Sequence, residues 1–377
     1  MNKFTCPYCY GEHTIATCGL KCSYTDPSMV GRVVDYKKPC KNGIIRDEKG
    51  WIPSQQKMRC MKCQDARKRL YCPTAPDREI PTGFLTNQSL PIALLGAKAS
   101  GKSNYIAVLI NEIRKKMTSR FNCTLDINCS EESKRHYDNN YYDPLFHQAR
   151  VVEASDKGVI PPLIFPLRFM DNRNRITKVA ALTFYDTAGE NFDSDDDILV
   201  FNRYIPNSKG IILLLDPLQV PAIRKRLEGK MPLPAQNTDA VEILSRVIEN
   251  IRAIKNIKGN INIPIALVFT KMDALETHGL LPEGSCLSYE SDHLKFGAFS
   301  KSDFENTKIE METLLENWVD DEIQQMLKQF SKYAIFGVTS LGAIPLNNRI
   351  SSTINPRRVL DPLLWVLSEN KYIKVIK

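Results

Sequence analysis

Residues 91–103, with the sequence PIALLGAKASGKS, decide the fold of this chain. A short apolar run leads directly into the pattern GxxxxGK[ST], which spans Gly96 to Ser103, and a helical pattern of apolar residues follows it. Gly96 and Gly101 let backbone N–H groups curl around phosphate oxygens, and the N-terminus of the following helix adds positive potential. The order of strand, glycine-rich loop and helix therefore predicts a phosphate-binding loop in an α/β fold.

The loop also provides the groups that a bound triphosphate needs. Lys102 is predicted to reach the terminal phosphates and to act in catalysis, and the Ser103 hydroxyl is predicted to ligate Mg²⁺. The remaining loop residues and the first turn of the helix are predicted to surround the phosphates. The complete predicted set is Gly96, Ala97, Lys98, Ala99, Ser100, Gly101, Lys102, Ser103 and Asn104.

Short apolar runs alternate with helical patterns along the rest of the chain, which is typical of βα units and a mostly parallel sheet. A polar turn joins the second and third predicted strands, so these two are expected to form an antiparallel hairpin. Two long, weakly patterned stretches, 118–162 and 274–305, are expected to be loops or insertions. Strands are predicted at 91–95, 163–169, 179–185, 210–215, 264–269 and 334–338, and helices around 106–117, 241–251, 309–323 and from 361 onward.

The sequence DTAGE, at residues 186–190, directly follows the third predicted strand. The Asp186 carboxylate, at a strand end, suits a direct or water-mediated contact with Mg²⁺. The Gly189 N–H can sense the terminal phosphate, and the carboxylate of Glu190 follows it in the motif. Gly189 and Glu190 are therefore predicted, with Lys102, to take part in catalysis.

Two further motifs point to the base of the nucleotide. TKMD, at residues 270–273, follows an apolar strand, and guanine presents two N–H donors to one carboxylate whereas adenine presents no such pair. Asp273 is thus predicted to select guanine, with the Lys271 stem covering the base and Thr270 beside it. The second motif is TSLG, at residues 339–342, where the backbone N–H groups of Ser340 and Leu341 are predicted to meet the guanine carbonyl.

The order of these four motifs matches the P-loop GTPases of the TRAFAC class. Together with an N-terminal CPYCY, the stretches LLGAKASGKSNYIAVLINEI and YDTAGE resemble the bacterial zinc-ribbon members of the double-GTPase families. The resemblance implies a Ras-like domain, with a mostly parallel six-stranded sheet, one antiparallel hairpin and helices on both faces. It also implies GTP or GDP with Mg²⁺, a partner GTPase or effector encoded nearby, and a role in bacterial conflict and anti-phage defence.

The chain departs from better-studied GTPases at three points. Glu190 stands where many small GTPases carry a glutamine, Thr270 stands where asparagine is usual, and the approach to the second strand contains no threonine that would close the first switch. These departures predict slow hydrolysis that a partner accelerates. Two alternatives stay open. The chain could be an adaptor that binds nucleotide without hydrolysing it, or a nucleic-acid sensor in which the zinc module binds nucleic acid and GTP hydrolysis sets how long the signal lasts.

Cysteine is concentrated at the N-terminus, where a reduced thiol cluster is typical of metal ligation. Two pairs with CxxC spacing, Cys6 with Cys9 and Cys60 with Cys63, predict one tetrahedral Zn²⁺ site, and the other four thiols could form a second. Eight of the eleven cysteines lie in this region: Cys6, Cys9, Cys18, Cys22, Cys40, Cys60, Cys63 and Cys72. One or two zinc ions are expected.

The net charge of +8 is equally uneven, because residues 1–80 carry 15 Lys and Arg against 8 Asp and Glu. Thiolate-bound zinc would lower this excess, and the remaining basic clusters at 37–38 and 67–69 favour a solvated face over a nucleic-acid surface. No apolar run approaches the roughly 20 residues that a bilayer span needs, and the first residues lack a secretory signal. We expect a cytoplasmic protein with a zinc module at 1–75, a linker at 76–90 and a GTPase domain at 91–377.

Overall fold

The computed structural model describes residues 4–6, 8, 11–14, 19–22, 68–72, 79–80, 90–96, 100–127, 131–152, 163–184, 204–235, 240–318, 321–350 and 353–377. The chain divides into two compact units, Met1–Ser89 and Leu90–Lys377. Among the described residues, none of the helices combines the length and the apolar character that a membrane span requires.

The small unit contains two antiparallel sheets made of short strands. In the first, β1 (Phe4–Thr5) pairs with β2 (Glu12–His13), which places His13 opposite Phe4. The second has the order β3-β4-β5 and consists of β3 (Gly19–Cys22), β4 (Lys68–Tyr71) and β5 (Glu79–Ile80). β5 lies within 76–90, the stretch expected to be a linker.

The large unit has more regular strands, each formed by an apolar or β-branched run. Among its described residues these are β6 (Ile92–Gly96), β7 (Cys123–Leu125), β8 (Leu163–Met170), β9 (Ile176–Phe184), β10 (Gly210–Leu215), β11 (Ile265–Phe269), β12 (Phe299–Ser300), β13 (Tyr333–Gly337) and β14 (Val375–Ile376). All six predicted strands are present, with bounds that shift by up to three residues.

A four-stranded parallel sheet forms the centre of the large unit, in the order β13-β11-β10-β6. Every residue of β10 and β11 is buried. Since successive side chains of a strand point to opposite faces, both faces of this sheet are covered.

Helices cover the two faces. Their bounds among the described residues are α1 (Lys102–Glu112), α2 (Thr118–Arg120), α3 (Glu131–Tyr137), α4 (Pro221–Leu227), α5 (Ala240–Lys255), α6 (Met272–Thr277), α7 (Asp292–Phe296), α8 (Lys301–Trp318), α9 (Glu322–Leu327) and α10 (Asp361–Glu369). On β13, the ring of Phe336 contacts Trp365 of α10, whereas a Cβ on the next residue, Gly337, would meet Met311 of α8. Phe304, near the start of α8, also contacts the Phe336 ring. Side chains of successive residues of a strand point to opposite faces, so both faces of β13 are covered by helical residues, as predicted.

The predicted hairpin is present, but it does not join the parallel sheet. β8 and β9 pair antiparallel, and β7, which the sequence analysis did not predict, adds a third strand beside β8. The prediction of one six-stranded sheet is thus wrong: the described strands form a parallel sheet of four and an antiparallel sheet of three. The buried Tyr204 hydroxyl is within hydrogen-bond distance of the carbonyl oxygens of Ile92 on β6 and Thr183 on β9, so it links the two strands.

Residues 118–162 and 274–305 contain more regular structure than expected. The first stretch includes β7, α3 and a wide helical turn at Asp138–His147, and the second includes α7 and β12. Part of their packing is with residues distant in sequence: the Tyr137 ring contacts Phe165 of β8 edge to face. Such long-range packing leaves no local periodicity, which is why the sequence pattern was weak.

The four parallel strands end at the same edge of the sheet, and this edge carries the predicted motifs. Gly96 ends β6, Leu215 ends β10, Phe269 ends β11 and Gly337 ends β13. In open α/β sheets, ligands bind outside the carboxyl ends of the strands.

Candidate functional site

The phosphate loop connects β6 to α1, as its sequence predicted. A Cβ on Gly96 would lie 2.5 Å from the Ser100 hydroxyl oxygen, so only glycine allows the loop to fold back this closely. Gly101 has φ 78°, in the left-handed region that favours glycine, and begins α1. The intervening Ala97, Lys98 and Ala99 lie outside the described residues.

The first turn of α1 provides the predicted phosphate and metal groups. Lys102 is the first residue of α1 and is buried, and Ser103, the predicted Mg²⁺ ligand, follows it half-buried. The Asn104 side-chain oxygen accepts a hydrogen bond from the Val152 N–H at 3.0 Å, so this residue fixes the chain before β8. The helix N-terminus adds partial positive charge where phosphates are predicted to bind.

The TKMD motif lies directly against the phosphate loop. The Thr270 hydroxyl donates a hydrogen bond to the Ser100 carbonyl oxygen at 2.7 Å and lies 3.1 Å from the Leu215 carbonyl oxygen. On the same side, a Cβ on Gly101 would lie 3.8 Å from the Lys271 side chain, an ordinary van der Waals contact. The phosphate loop and the base motif are therefore one continuous surface.

Lys271 is held by a buried partner. Its ammonium forms a 2.6 Å ion pair with the Asp216 carboxylate, whose side chain is fully buried and also accepts a hydrogen bond from the Leu218 N–H. Lys271 has φ 54°, a left-handed conformation that costs a non-glycine residue of order 1 kcal/mol and that clusters at functional sites. The ion pair fixes the direction of the Lys271 stem.

Asp273, the predicted guanine ligand, is buried with a relative exposure of 6%. Its carboxylate accepts a hydrogen bond from the Ala274 N–H at 3.2 Å. Burial raises the pKa of Asp273, while the N–H groups of Ala274 and Gly342 and the Arg357 guanidinium oppose that rise. A carboxylate in this position can accept paired N–H donors from a base.

The fourth motif lies beside Asp273. The Met272 N–H donates to the Val338 carbonyl oxygen at 3.2 Å, which joins the end of β13 to the base motif. Leu341 accepts a hydrogen bond from the Asn355 N–H at 2.9 Å. Ser340 is buried between these contacts. The structure thus places the TSLG motif beside the TKMD motif, and the contact of Ser340 and Leu341 with a base stays a prediction.

Several buried polar atoms at this site lack a hydrogen-bond partner. Among the described side chains, they include the hydroxyl oxygens of Ser100, Thr339 and Ser340 and the Nε of Arg357. Buried polar groups nearly always have partners, so each of these atoms suggests a missing ligand. Their positions at the phosphate loop and the base loop fit the phosphates and the base of a guanine nucleotide.

The DTAGE motif cannot be compared with the structure, because Asp186, Gly189 and Glu190 lie outside the described residues. The second predicted Mg²⁺ ligand and the catalytic pair after β9 remain predictions. β9 itself ends at Phe184, beside the phosphate-loop strand that Tyr204 links to it.

Two residues of the site were missed by the sequence analysis. Asp216 follows the apolar run GIILLL, so a carboxylate at the end of a fully buried strand was an available signal. Arg357 lies in no recognisable motif, and only the tertiary structure brings it to the base loop.

A second group of candidate ligands lies in the small unit. The thiols of Cys6 and Cys72 are fully buried, and these sulfur atoms and a ring nitrogen of His13 lie within 4.8 Å of one another. The Tyr8 N–H donates to the Cys6 sulfur at 3.4 Å, an interaction suited to a thiolate. This donor set fits Zn²⁺, whose ligands are thiolates and imidazoles.

The suggested grouping of the cysteines needs revision. The sequence groups Cys72 with Cys18, Cys22 and Cys40, but its thiol lies beside Cys6 and His13. The side chain of Cys22 is not described. The other predicted zinc ligands, Cys9, Cys18, Cys40, Cys60 and Cys63, lie outside the described residues.

A third cluster, His293, Asp303 and Asp361, also brings possible metal ligands together. The Arg358 guanidinium already lies 2.9 Å from a carboxylate oxygen of each aspartate. It supplies the positive charge that a cation would bring, so the cluster is a buried ion network and not a metal site.

No protein-family model matches the chain. By sequence it is similar to a protein of Mycolicibacterium smegmatis described as a candidate ESX-1 scaffolding and assembly protein, SaeC. The two share 25% identity over 312 residues, which cover 77% of each chain.

Solved structures similar to this chain include three GTP-binding proteins. The signal recognition particle receptor SRb–GTP/SRX complex of Chaetomium thermophilum matches at 11% identity and a TM-score of 0.31, over 69% of this chain and 95% of that one. A GTP-binding protein of Sulfolobus solfataricus in complex with GDP matches at 10% identity and a TM-score of 0.29, over 74% of this chain and 53% of that one. The S. cerevisiae Ski7 GTPase-like domain bound to GTP matches at 13% identity and a TM-score of 0.32, over 75% of this chain and 50% of that one. At such TM-scores the residues above, and not these neighbours, support the assignment of a ligand.

Proposed function

We propose that this chain is a GTP-binding switch protein, with the nucleotide held by residues 91–377 and a zinc-binding module at 1–75. The observation that carries the proposal is the hydrogen bond from the Thr270 hydroxyl to the Ser100 carbonyl oxygen, which fixes the base motif against the phosphate loop. Across this contact lies the buried Asp273 carboxylate. A phosphate loop and a carboxylate for paired N–H donors at one sheet edge match the two ends of GTP or GDP.

In this proposal the first turn of α1 binds the phosphates. Lys102 extends from the helix N-terminus to the terminal phosphates, and the Ser103 hydroxyl would hold Mg²⁺ together with Asp186. Mg²⁺, when bound, would neutralise charge on the phosphates during transfer. The Gly189 N–H would contact the terminal phosphate, and Glu190 would orient the attacking water.

Nucleotide binding tests the proposal directly. Calorimetric titrations of the full chain with GTP, GDP and ATP, each with Mg²⁺, should show guanine nucleotides binding and ATP binding at least about tenfold more weakly. Lys102→Ala should abolish tight GTP binding and leave the circular dichroism spectrum unchanged. Equal affinities for GTP and ATP would contradict the assignment of the base, and no binding of either would contradict the site as a whole.

Hydrolysis is proposed to be slow without a partner, because Glu190 would bring a negative charge near the terminal phosphate and the first switch lacks a threonine. A glutamine can orient water without that repulsion. Single-turnover rates of the parent and of Glu190→Gln, each measured alone, should show an equal or faster rate for the variant. A parent that turns over several times per second unaided would show that no partner is needed.

The alternative is a nucleotide-binding adaptor that does not hydrolyse GTP. The similarity to the SaeC protein, described as a scaffolding and assembly protein, supports a protein partner and favours this alternative over a nucleic-acid sensor. GTP turnover measured with and without added nucleic acid separates the three functions. A cytoplasmic location and the role in bacterial defence remain proposals that rest on the sequence, and the comparisons lend the defence role no support.

A further inference from the structure

Arg357 lies beside the base loop, although it belongs to none of the four motifs. Its backbone pairs with that of Thr339, the first residue of TSLG: the Thr339 N–H donates to the Arg357 carbonyl oxygen at 3.0 Å, and the reciprocal bond is 2.9 Å long. The segment that returns from residue 353 is thus fixed against the fourth motif, and the Arg357 side chain starts next to the base pocket.

The guanidinium of Arg357 reaches the helix that carries the guanine ligand. It forms an ion pair with Glu276, which lies three residues after Asp273 on α6. The side chain is 17% exposed, and its Nε has no hydrogen-bond partner among the described residues. The guanidinium is therefore held on the helix that carries Asp273 and retains a free donor, and its positive charge opposes the rise that burial causes in the pKa of Asp273.

The next residue, Arg358, anchors this segment in the interior. It has φ 56°, and its guanidinium is 3% exposed. It donates to the Cys286 carbonyl oxygen at 2.7 Å and pairs with Asp303 and Asp361. The two consecutive arginines therefore have different roles: Arg358 fixes the backbone of this segment in the interior, and the side chain of Arg357 extends to α6 beside the base loop.

The charges of the pocket explain why a second cation is present. Lys271 is neutralised by Asp216, so it does not balance Asp273. Arg357 is a further cation beside the base loop, and its ion-pair partner is Glu276, so the side chains of Lys271, Asp216, Arg357, Glu276 and Asp273 together carry one net negative charge. That charge has to persist in a buried position, because a carboxylate accepts two N–H donors from guanine only when it is ionised.

We propose that Arg357 is a positioning residue for guanine recognition, which keeps the Asp273 carboxylate ionised for the base through its positive charge, while the Glu276 carboxylate, paired with Arg357, weakens that effect. The inference rests on the proposed function, since it assumes that Asp273 receives the guanine. It predicts that Arg357 acts on the paired N–H contact in particular, and not on the phosphates.

Titrations with GTP and with inosine triphosphate, which lacks the 2-amino group, test this inference from about pH 5 to pH 8. The variants are Arg357→Gln, Arg357→Lys and Glu276→Gln, with Arg246→Gln as the matched control. Arg246 forms an exposed ion pair with Glu242 on α5, away from the site. Thermal melting of each variant reports whether it is folded.

Arg357→Gln should bind GTP about tenfold more weakly than the parent at neutral pH. As the pH is lowered, its affinity for GTP should begin to fall at a higher pH than the affinity of the parent does. Its preference for GTP over inosine triphosphate should shrink. Arg357→Lys should restore part of the affinity, and Glu276→Gln should extend binding to lower pH. If Arg357→Gln does not fold, the Arg357→Lys variant tests the inference through the pH dependence of its GTP binding and its preference for GTP over inosine triphosphate.

Two results would overturn the inference. In the first, Arg357→Gln matches the Arg246→Gln control in affinity and pH profile. In the second, it loses equal affinity for both nucleotides at every pH, which would indicate a purely structural role. A parent that binds no guanine nucleotide would instead contradict the proposed function itself, so the two failures are distinguishable.

Discussion

Thr270 and Ser100 lie 170 positions apart and are joined by a 2.7 Å hydrogen bond from the Thr270 hydroxyl to the Ser100 carbonyl oxygen. Asparagine is usual at this position of the base motif in the GTPases that the chain resembles. The structure shows that the shorter threonine still bonds to the phosphate loop. The substitution therefore preserves the link between the two ends of the nucleotide site.

Thr270→Val keeps the shape of the side chain and removes this bond. Because the Ser100 carbonyl loses this donor, the free energy of unfolding should fall by about 1 kcal/mol. The affinity for GTP and for GDP should fall about fivefold. Denaturant titration and calorimetry measure the two effects. Thr313→Val, on the exposed face of α8, is the control and should change neither. Unaltered nucleotide affinity in Thr270→Val would show that the loops are held by other contacts.

Asp273→Asn should abolish tight GTP binding and stabilise the unliganded protein at neutral pH. Burial raises the pKa of Asp273 in the folded state, so the folded chain binds this proton more tightly than the unfolded chain. The cost of ionising Asp273 therefore builds up as the pH rises from the ordinary pKa of an aspartate towards the raised pKa and is fully present above it, and asparagine removes this cost.

Thermal melting of the unliganded parent and of Asp273→Asn across the acid-to-neutral range measures this cost. The melting temperature of the variant should exceed that of the parent at neutral pH, and the difference should vanish at low pH. GTP binding by the parent should show the opposite trend and weaken as Asp273 gains its proton. An Asp273→Asn protein less stable than the parent at neutral pH would contradict the assignment.

Arg358→Met should be strongly destabilising, by about 3–5 kcal/mol, because it leaves two buried carboxylates without their cation. Burial alone would lower the pKa of Arg358, but its ion pairs with Asp303 and Asp361 outweigh burial and raise it. Denaturant titration gives the free energy of unfolding. Arg246→Met breaks an exposed ion pair and should change that energy by less than about 1 kcal/mol. Similar losses in both variants would argue against a structural role for the buried network.

Zinc content tests the ligand set in the small unit. The parent should contain one or two Zn²⁺ per chain, and Cys6→Ser, Cys72→Ser and His13→Gln should each lower that number or make the metal easier to remove with a chelator. Cys286→Ser, in the large unit, should leave it unchanged. Elemental analysis after purification provides the measurement. A zinc-free parent whose small unit is folded would refute the metal site, and full occupancy in His13→Gln would exclude histidine from it.

The sequence by itself determined the strands of the sheet and the location of the phosphate loop. Fully apolar runs such as Gly210–Leu215 and Ile265–Phe269 can only be buried strands of this length, and GAKASGKS dictates a strand, a turn and a helix through its glycines. These features are local, because each depends on the periodicity or conformational freedom of a few adjacent residues. The position of the motif TKMD was also determined locally, because it directly follows the apolar strand Ile265–Phe269.

The tertiary structure decided which distant groups meet, since contacts between residues far apart in the chain leave no periodic pattern in the sequence. It linked β6 to β9 through the Tyr204 hydroxyl and placed Cys72 beside Cys6. It also paired Lys271 with Asp216 and Arg357 with Glu276. A carboxylate's charge and direction depend on burial and on neighbours from other elements, and only the folded chain supplies them.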